Sequence, residues 1–125
     1  MAARAFVAYE LSLQLVTAVR LAATSWRTVG DRPRSPAFAG FAPSRADQGR
    51  RAAVSVALSL REGSAYLAGS PSRRRFFDIA HASAWEIHAV LDIARCCGFD
   101  GVEDRAARAL AGRVAAMTTA LVRRR

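Results

Sequence analysis

The chain has 125 residues, 52% of them apolar and 23% charged, which suits one domain built on one hydrophobic core and argues against a multidomain enzyme. Nineteen basic residues stand against ten acidic ones for a net charge of +9, and every basic residue is arginine. That balance favours polyanionic partners and says nothing about fold. Cys96 and Cys97 are adjacent and cannot form a disulfide framework, which fits a reducing compartment. Nothing near the N-terminus reads as an address, and no uninterrupted apolar run approaches the roughly 18–20 residues of a membrane span. A cytoplasmic protein with no membrane association is expected.

Four segments carry helical periodicity and none shows the alternation of a strand. The first helix is expected over about 4–27, with Leu11, Leu15, Ala18, Ala22 and Trp26 on one face and Leu13 and Val16 to the side. That is more apolar surface than one bundle core needs. A proline-rich loop over 28–44 follows. The second helix is expected over 45–68, capped by Ser44 with Asp47 in its first turn and stopped by Gly69. Ser70 and Pro71 open a third over 71–97, because proline fits the first turn where its missing N–H is not needed, and Gly98 closes it. Asp100 and Glu103 form a capping pattern for a fourth over 101–122, whose seam reads Ala107, Leu110, Val114, Met117 and Leu121. Short connections make neighbours antiparallel, so residues 1–125 read as one all-α domain, an up-and-down four-helix bundle. Abundant alanine implies close helix axes and a thin core. Phe76 reads as core with Phe77 nearer the surface, and the two cysteines as filling the end of the bundle.

The second helix places Gln48, Arg51, Ser55, Glu62 and Tyr66 in one narrow sector. In the third, Glu86 falls among Ile79, Val90 and Ile93, where a carboxylate is costly unless paired. Folding the two helices back on each other brings Glu86 level with Arg51 and Ser55. The expectation is a structural polar network of Arg51, Ser55, Glu62, Ser83 and Glu86, with an Arg51–Glu86 pair and the two serines allowing close approach. The alternative is that Glu86 lies at the edge of the apolar face and reaches water. No two carboxylates converge as general acid–base catalysis requires.

These segments carry a family resemblance. The run Gln48–Ser55, the SLREG of Ser59–Gly63 and the IAHAS of Ile79–Ser83 followed by Glu86 resemble the four-helix-bundle proteins known from intervening sequences of 23S ribosomal RNA. That family reads approximately Q-x-R-R-A-x-x-S, N-I-A-E-G and I-A-x-G-S-x-x-E. The matching positions are Gln48, Arg51, Ala52, Ser55, Glu62, Gly63, Ile79, Ala80, Ser83 and Glu86, and helix size and order agree over nearly the whole chain. Ser59 stands in place of the usual asparagine, Arg61 of a small residue and Ala82 of a glycine. The resemblance implies a bacterial homo-oligomer, characteristically a homopentamer. A related branch, the accessory proteins of diversity-generating retroelements, comprises similarly basic bundles that bind a reverse transcriptase and nucleic acid.

The candidate nucleic-acid or anion-binding residues are Arg73, Arg74 and Arg75, with Arg50, Arg123, Arg124 and Arg125. The triplet at 73–75 opens a helix, where cations oppose the positive end of the dipole, so bound phosphate would relieve the conflict. The alternative is that arginine is simply the solubilising cation of a lysine-free chain. No helix-turn-helix, zinc-finger or aromatic sheet signature suggests base readout. His81, Trp85 and His88 line a face away from the expected core and read as an oligomer interface; the histidines are about 10.5 Å apart along the helix, too far to share one metal ion. No metal or cofactor is expected, and no small-molecule substrate is evident. The expected function is non-enzymatic: an oligomer binding RNA or DNA electrostatically, or alternatively a protein–protein adaptor such as a reverse-transcriptase accessory subunit.

Overall fold

Four helices account for most of the computed structural model, which describes residues 3–28 and 41–123: α1 (Ala3–Thr28), α2 (Phe41–Gly63), α3 (Pro71–Cys96) and α4 (Val102–Arg123). No strand occurs among the described residues. Each helix packs on two others, α1 and α3 both lying between α2 and α4, so the four form a square. Trp26 late in α1 bonds Asp104 early in α4, Gly63 ending α2 lies against Phe77 early in α3, and His81 of α3 meets Thr118 late in α4. Val19 of α1 faces Gly49 of α2. All neighbours are therefore antiparallel, in the expected up-and-down order. The lower end of the bundle holds the starts of α1 and α3 and the ends of α2 and α4; the upper end holds the rest.

The core is formed by Leu15, Val19, Trp26, Leu60, Ile87 and Val114 with a bed of buried alanines such as Ala22, Ala53, Ala84 and Ala111. Burying each large aliphatic side chain contributes about 1.5–3 kcal/mol, and the alanines let the helix axes approach. In α4 the buried line is Ala107, Ala111, Val114, Ala115 and Thr118. The expected seam residues Leu110, Met117 and Leu121 are only partly buried at its edge. Phe77 is buried and Phe76 stacks on Tyr66 at 5.7 Å, the reverse of the expected order. Cys97 is buried and Cys96 exposed, so only one of the two fills the bundle end. α1 is also long and apolar enough, by length and composition, to cross a membrane; in this fold its Leu11, Leu15, Val19 and Trp26 edge is packed inside.

Local signals explain most helix ends. Ser70 accepts the Arg73 N–H at 3.2 Å and Pro71 occupies the first turn. Gly98, at φ 97°, closes α3: the Phe99 N–H reaches Ala94 O at 2.9 Å and the Gly98 N–H reaches Arg95 O at 3.0 Å. α2 begins at Phe41, ahead of the expected cap at Ser44, and stops at Gly63 instead of continuing to 68. The cap of α4 is also displaced by one residue from the expected Asp100–Glu103 pair: Asp104 reaches back to the Gly101 N–H at 3.0 Å.

Candidate nucleic-acid interface

The antiparallel order brings arginines from all four helices to the lower end. Arg4 of α1, Arg61 of α2, Arg74 and Arg75 of α3 and Arg123 of α4 are all exposed there. Arg73 belongs to the same end but is turned inward, donating to Tyr66 O at 3.2 Å and lying 4.7 Å over the Phe77 ring. These two contacts hold the guanidinium against the turn that precedes α3, so Arg73 serves the helix start while Arg74 and Arg75 point outward. Arg123 is favourably placed at a helix C-terminus, whereas Arg74 and Arg75 stand against the positive end of the α3 dipole. Glu10, Glu62 and Asp78 are the acids of this half. Arg124 and Arg125 lie outside the described residues.

At the upper end the arginines are interleaved with carboxylates. Arg50, expected to join the basic surface, lies here and pairs with Asp47 at 3.5 Å. Arg108 meets Asp100 at 2.6 Å, and Arg105 donates to Asp100 O at 2.8 Å. The Arg108 hydrogen bond holds the Asp100 carboxyl below its ordinary pKa, with the charges of Arg108, Arg105 and Arg95 acting in the same direction against partial desolvation. Excess positive charge is thus concentrated at the lower end.

The polar sector of α2 faces α3, as its spacing implied, but it opens onto water. Ser55 and Ser83 share a hydrogen bond of 2.9 Å, marking the close approach expected of them. Glu86 is exposed and accepts from Gln48 Nε2 at 2.9 Å; it makes no ion pair with Arg51 among the described residues. The expected buried Arg51–Glu86 pair is therefore corrected in favour of the solvated alternative. Both side chains line an open polar groove of about 470 Å3 with Asp47, Ser55 and Ser83. The reason lies in α3: the line Ile79, Glu86, Ile93 is turned outward, with Ile79 37% and Ile93 46% exposed. Glu62 is exposed at the other end of α2, about 10.5 Å along the helix from Ser55, and does not join the serines.

On α3, Trp85 is 48% exposed between His81 and His88, whose rings lie edge-on at 6.4 and 5.6 Å. Both histidines are engaged within the chain: His81 Nδ1 lies 3.3 Å from the Thr118 hydroxyl of α4, and His88 Nδ1 lies 3.2 Å from Asp92. Among the described residues no three His, Cys, Asp or Glu side chains converge as a metal site.

One feature escaped the sequence reading, and a second was read only in its α1 half, as Leu13 and Val16 lying beside the core face. Asp104 is buried and accepts from both the Trp26 indole N–H and the Gly101 N–H, tying α1 to the start of α4. Between α1 and α2, Leu13, Val54 and Leu58 are left exposed beside Tyr9, Val16, Ala57 and Arg61, around a groove of about 260 Å3. The available signal was that these apolar residues lay off the core stripes. Comparison with family models, with curated proteins and with solved structures finds no match for this chain.

Proposed function

We propose that this chain is a non-enzymatic, homo-oligomeric four-helix-bundle protein that binds RNA or another nucleic acid through the arginine-bearing lower end of the bundle. The carrying observation is the convergence of Arg4, Arg61, Arg74, Arg75 and Arg123 from four helices onto one end, while at the upper end Arg50 and Arg108 are paired with Asp47 and Asp100. Guanidinium groups suit phosphate because their planar donors match its oxygens. The resemblance of the Gln48–Glu86 segments to the 23S ribosomal RNA intervening-sequence family supports the homo-oligomeric part of the reading, with five subunits as the number it implies.

Binding of this kind is electrostatic and falls steeply with salt. Anisotropy of a fluorescent single-stranded RNA, titrated between about 50 and 200 mM salt, tests it. The double variant Arg74→Glu, Arg75→Glu should bind more weakly, and its log–log salt slope should be shallower by about 1.4, roughly 0.7 for each phosphate contact removed. Absence of binding by the unaltered chain at the low-salt limit, or an unchanged slope in the variant, refutes the reading. The second reading, a protein adaptor such as a reverse-transcriptase accessory subunit, draws its support from the exposed Leu13, Val54 and Leu58. A reverse-transcriptase gene beside this one would favour it.

A further inference from the structure

The polar groove between α2 and α3 takes no part in the proposed nucleic-acid surface, yet six of the residues that carry the family resemblance, Gln48, Arg51, Ala52, Ser55, Ser83 and Glu86, line it. It lies beside the middle and upper turns of the two helices, away from the arginines of the lower end. Two hydrogen bonds cross it: Gln48 Nε2 donates to Glu86 Oε1 at 2.9 Å, and a second of 2.9 Å joins the Ser55 and Ser83 hydroxyls. Between these rungs stands Arg51, three residues after Gln48 and four before Ser55, so the three share one face of α2.

Several groups in the groove keep bonding capacity. The Arg51 guanidinium has no hydrogen bond or ion pair among the described residues. Glu86 uses Oε1 for Gln48, leaving Oε2 open. Ser55 and Ser83 have two hydroxyl protons and use one in their shared bond. Asp47 is already held by Arg50 at 3.5 Å. The open charges are thus one cation from α2 and one anion from α3, facing the same space without pairing. An anion seated on Arg51 alone would meet the Glu86 carboxylate across the groove, and a cation seated on Glu86 alone would meet the guanidinium. A solute carrying both charges satisfies each of them. Among the described residues that line the groove, Ala52 alone is apolar and none is aromatic, so nothing there suits a nucleobase or an apolar side chain. The volume of about 470 Å3 falls within the range of small-molecule clefts.

We infer that the α2–α3 groove binds a small zwitterion of the polar α-amino-acid class, with its carboxylate on the Arg51 guanidinium, its ammonium on Glu86 Oε2 and its side chain against the Ser55 and Ser83 hydroxyls. A planar guanidinium suits a carboxylate, which it can hold by two parallel N–H···O bonds. Both charges are open to water, so each contact contributes about fivefold to affinity, the upper end of what an exposed ion pair supplies. The site rests on neither the nucleic-acid nor the oligomeric reading.

The probe is L-glutamine, titrated at millimolar concentration into the isotope-labelled chain and followed by protein NMR. The amides of Ser55, Ser83 and Glu86 should shift together and saturably. N-acetyl-L-glutamine, which lacks the ammonium, and L-glutaminamide, which lacks the carboxylate, should each bind about fivefold more weakly. L-Glutamine should lose a similar factor on Glu86→Gln and on Arg51→Gln. Both residues are exposed, so the variants should keep the helical circular-dichroism signal and cooperative melting; should either fail to fold, the two modified probes carry the test on the unaltered chain. Absence of saturable shifts overturns the site. Equal binding of N-acetyl-L-glutamine reduces it to an anion held by a strongly basic chain, and undiminished binding by either variant removes that residue's contact; each result overturns the zwitterion assignment.

Discussion

Two glycines in the segments that carry the family resemblance should respond to alanine in opposite directions. Gly49 and Gly63 are both buried in α2, and neither has the positive φ that would make a side chain strained. A Cβ at Gly49 would lie 3.6 Å from Val19 Cγ1 and 3.7 Å from Val90 Cγ1, which is ordinary contact. A Cβ at Gly63 would lie 2.7 and 2.8 Å from two ring carbons of Phe77 and 3.1 Å from Phe76 Cβ. Replacing helical glycine by alanine gains about 0.5–1 kcal/mol from the unfolded chain's lost freedom. At Gly49 the new methyl adds up to about 0.8 kcal/mol of burial, so Gly49→Ala should stabilise by about 1 kcal/mol. At Gly63 the same entropic gain is outweighed by overpacking of about 1–3 kcal/mol, because Phe77 is pinned between the core and the Arg73 guanidinium. Gly63→Ala should therefore destabilise by about 1–2 kcal/mol. Urea unfolding followed by circular dichroism, at one fixed protein concentration so that association does not confound the midpoint, separates the two variants by about 2–3 kcal/mol. Shifts of the same sign at both positions would refute the packing reasoning, and in particular the close approach of Gly63 to the Phe77 ring.

Asp104→Ala removes a helix cap and the acceptor of the Trp26 indole, and should cost about 2–4 kcal/mol in the same unfolding experiment; a cost under about 0.5 kcal/mol, the range of ordinary surface changes, would show that the link between α1 and α4 is dispensable. Asp100, whose folded pKa is depressed by Arg108, contributes stability above its unfolded value of about 4 that is lost as pH falls through the folded value. Asp100→Asn should accordingly flatten the acid limb of stability against pH, and an unchanged limb would exclude the contribution. Burial, reinforced by neighbouring Cys96, holds the Cys97 thiol above its ordinary pKa, so thiol titration of the folded chain should show one fast-reacting cysteine, Cys96, and a second that reacts only on unfolding.

The helix count, the antiparallel order and the Ser70–Pro71 and Gly98 boundaries were legible because each rests on a local rule of backbone chemistry. The Ser55–Ser83 contact was legible because two hydroxyls at matching positions on adjacent antiparallel helices meet without needing an exact rotation of either helix. Glu86 was not. Ile79 and Ile93, seven residues to either side, made its line look internal, whereas α3 turns inward the line of Ala80, Ala84, Ile87 and Leu91. Alanine carries little hydrophobic signal in a sequence, so a core built on alanine is read in favour of the larger residues beside it. The same substitution of Ala111, Ala115 and Thr118 for Leu110, Met117 and Leu121 occurs in α4. Gly63, where α2 stops, lies against Phe77, 14 residues away in sequence, a contact that no local rule reports.

The place of the arginines separates the proposed nucleic-acid surface from the apolar sides of the bundle. The arginines of the lower end are exposed near helix termini, whereas the α1–α2 groove and Trp85 lie on the sides. Association through the sides therefore leaves the lower end uncovered. When a heterologous side-to-side contact closes by rotation about an axis running along the bundles, every copy keeps the same end on the same face of the ring. The arginines of one end would then be repeated around that face at the spacing of the subunits, and counterion release on binding a polyanion would grow with the number of copies engaged. Trp85→Arg, at the expected oligomer interface, supplies the measurement: with one lower end instead of a full ring, a variant reduced to monomer should bind RNA more weakly than the unaltered oligomer and with a shallower salt slope. Equal slopes would place the nucleic-acid contact within a single bundle and detach it from assembly.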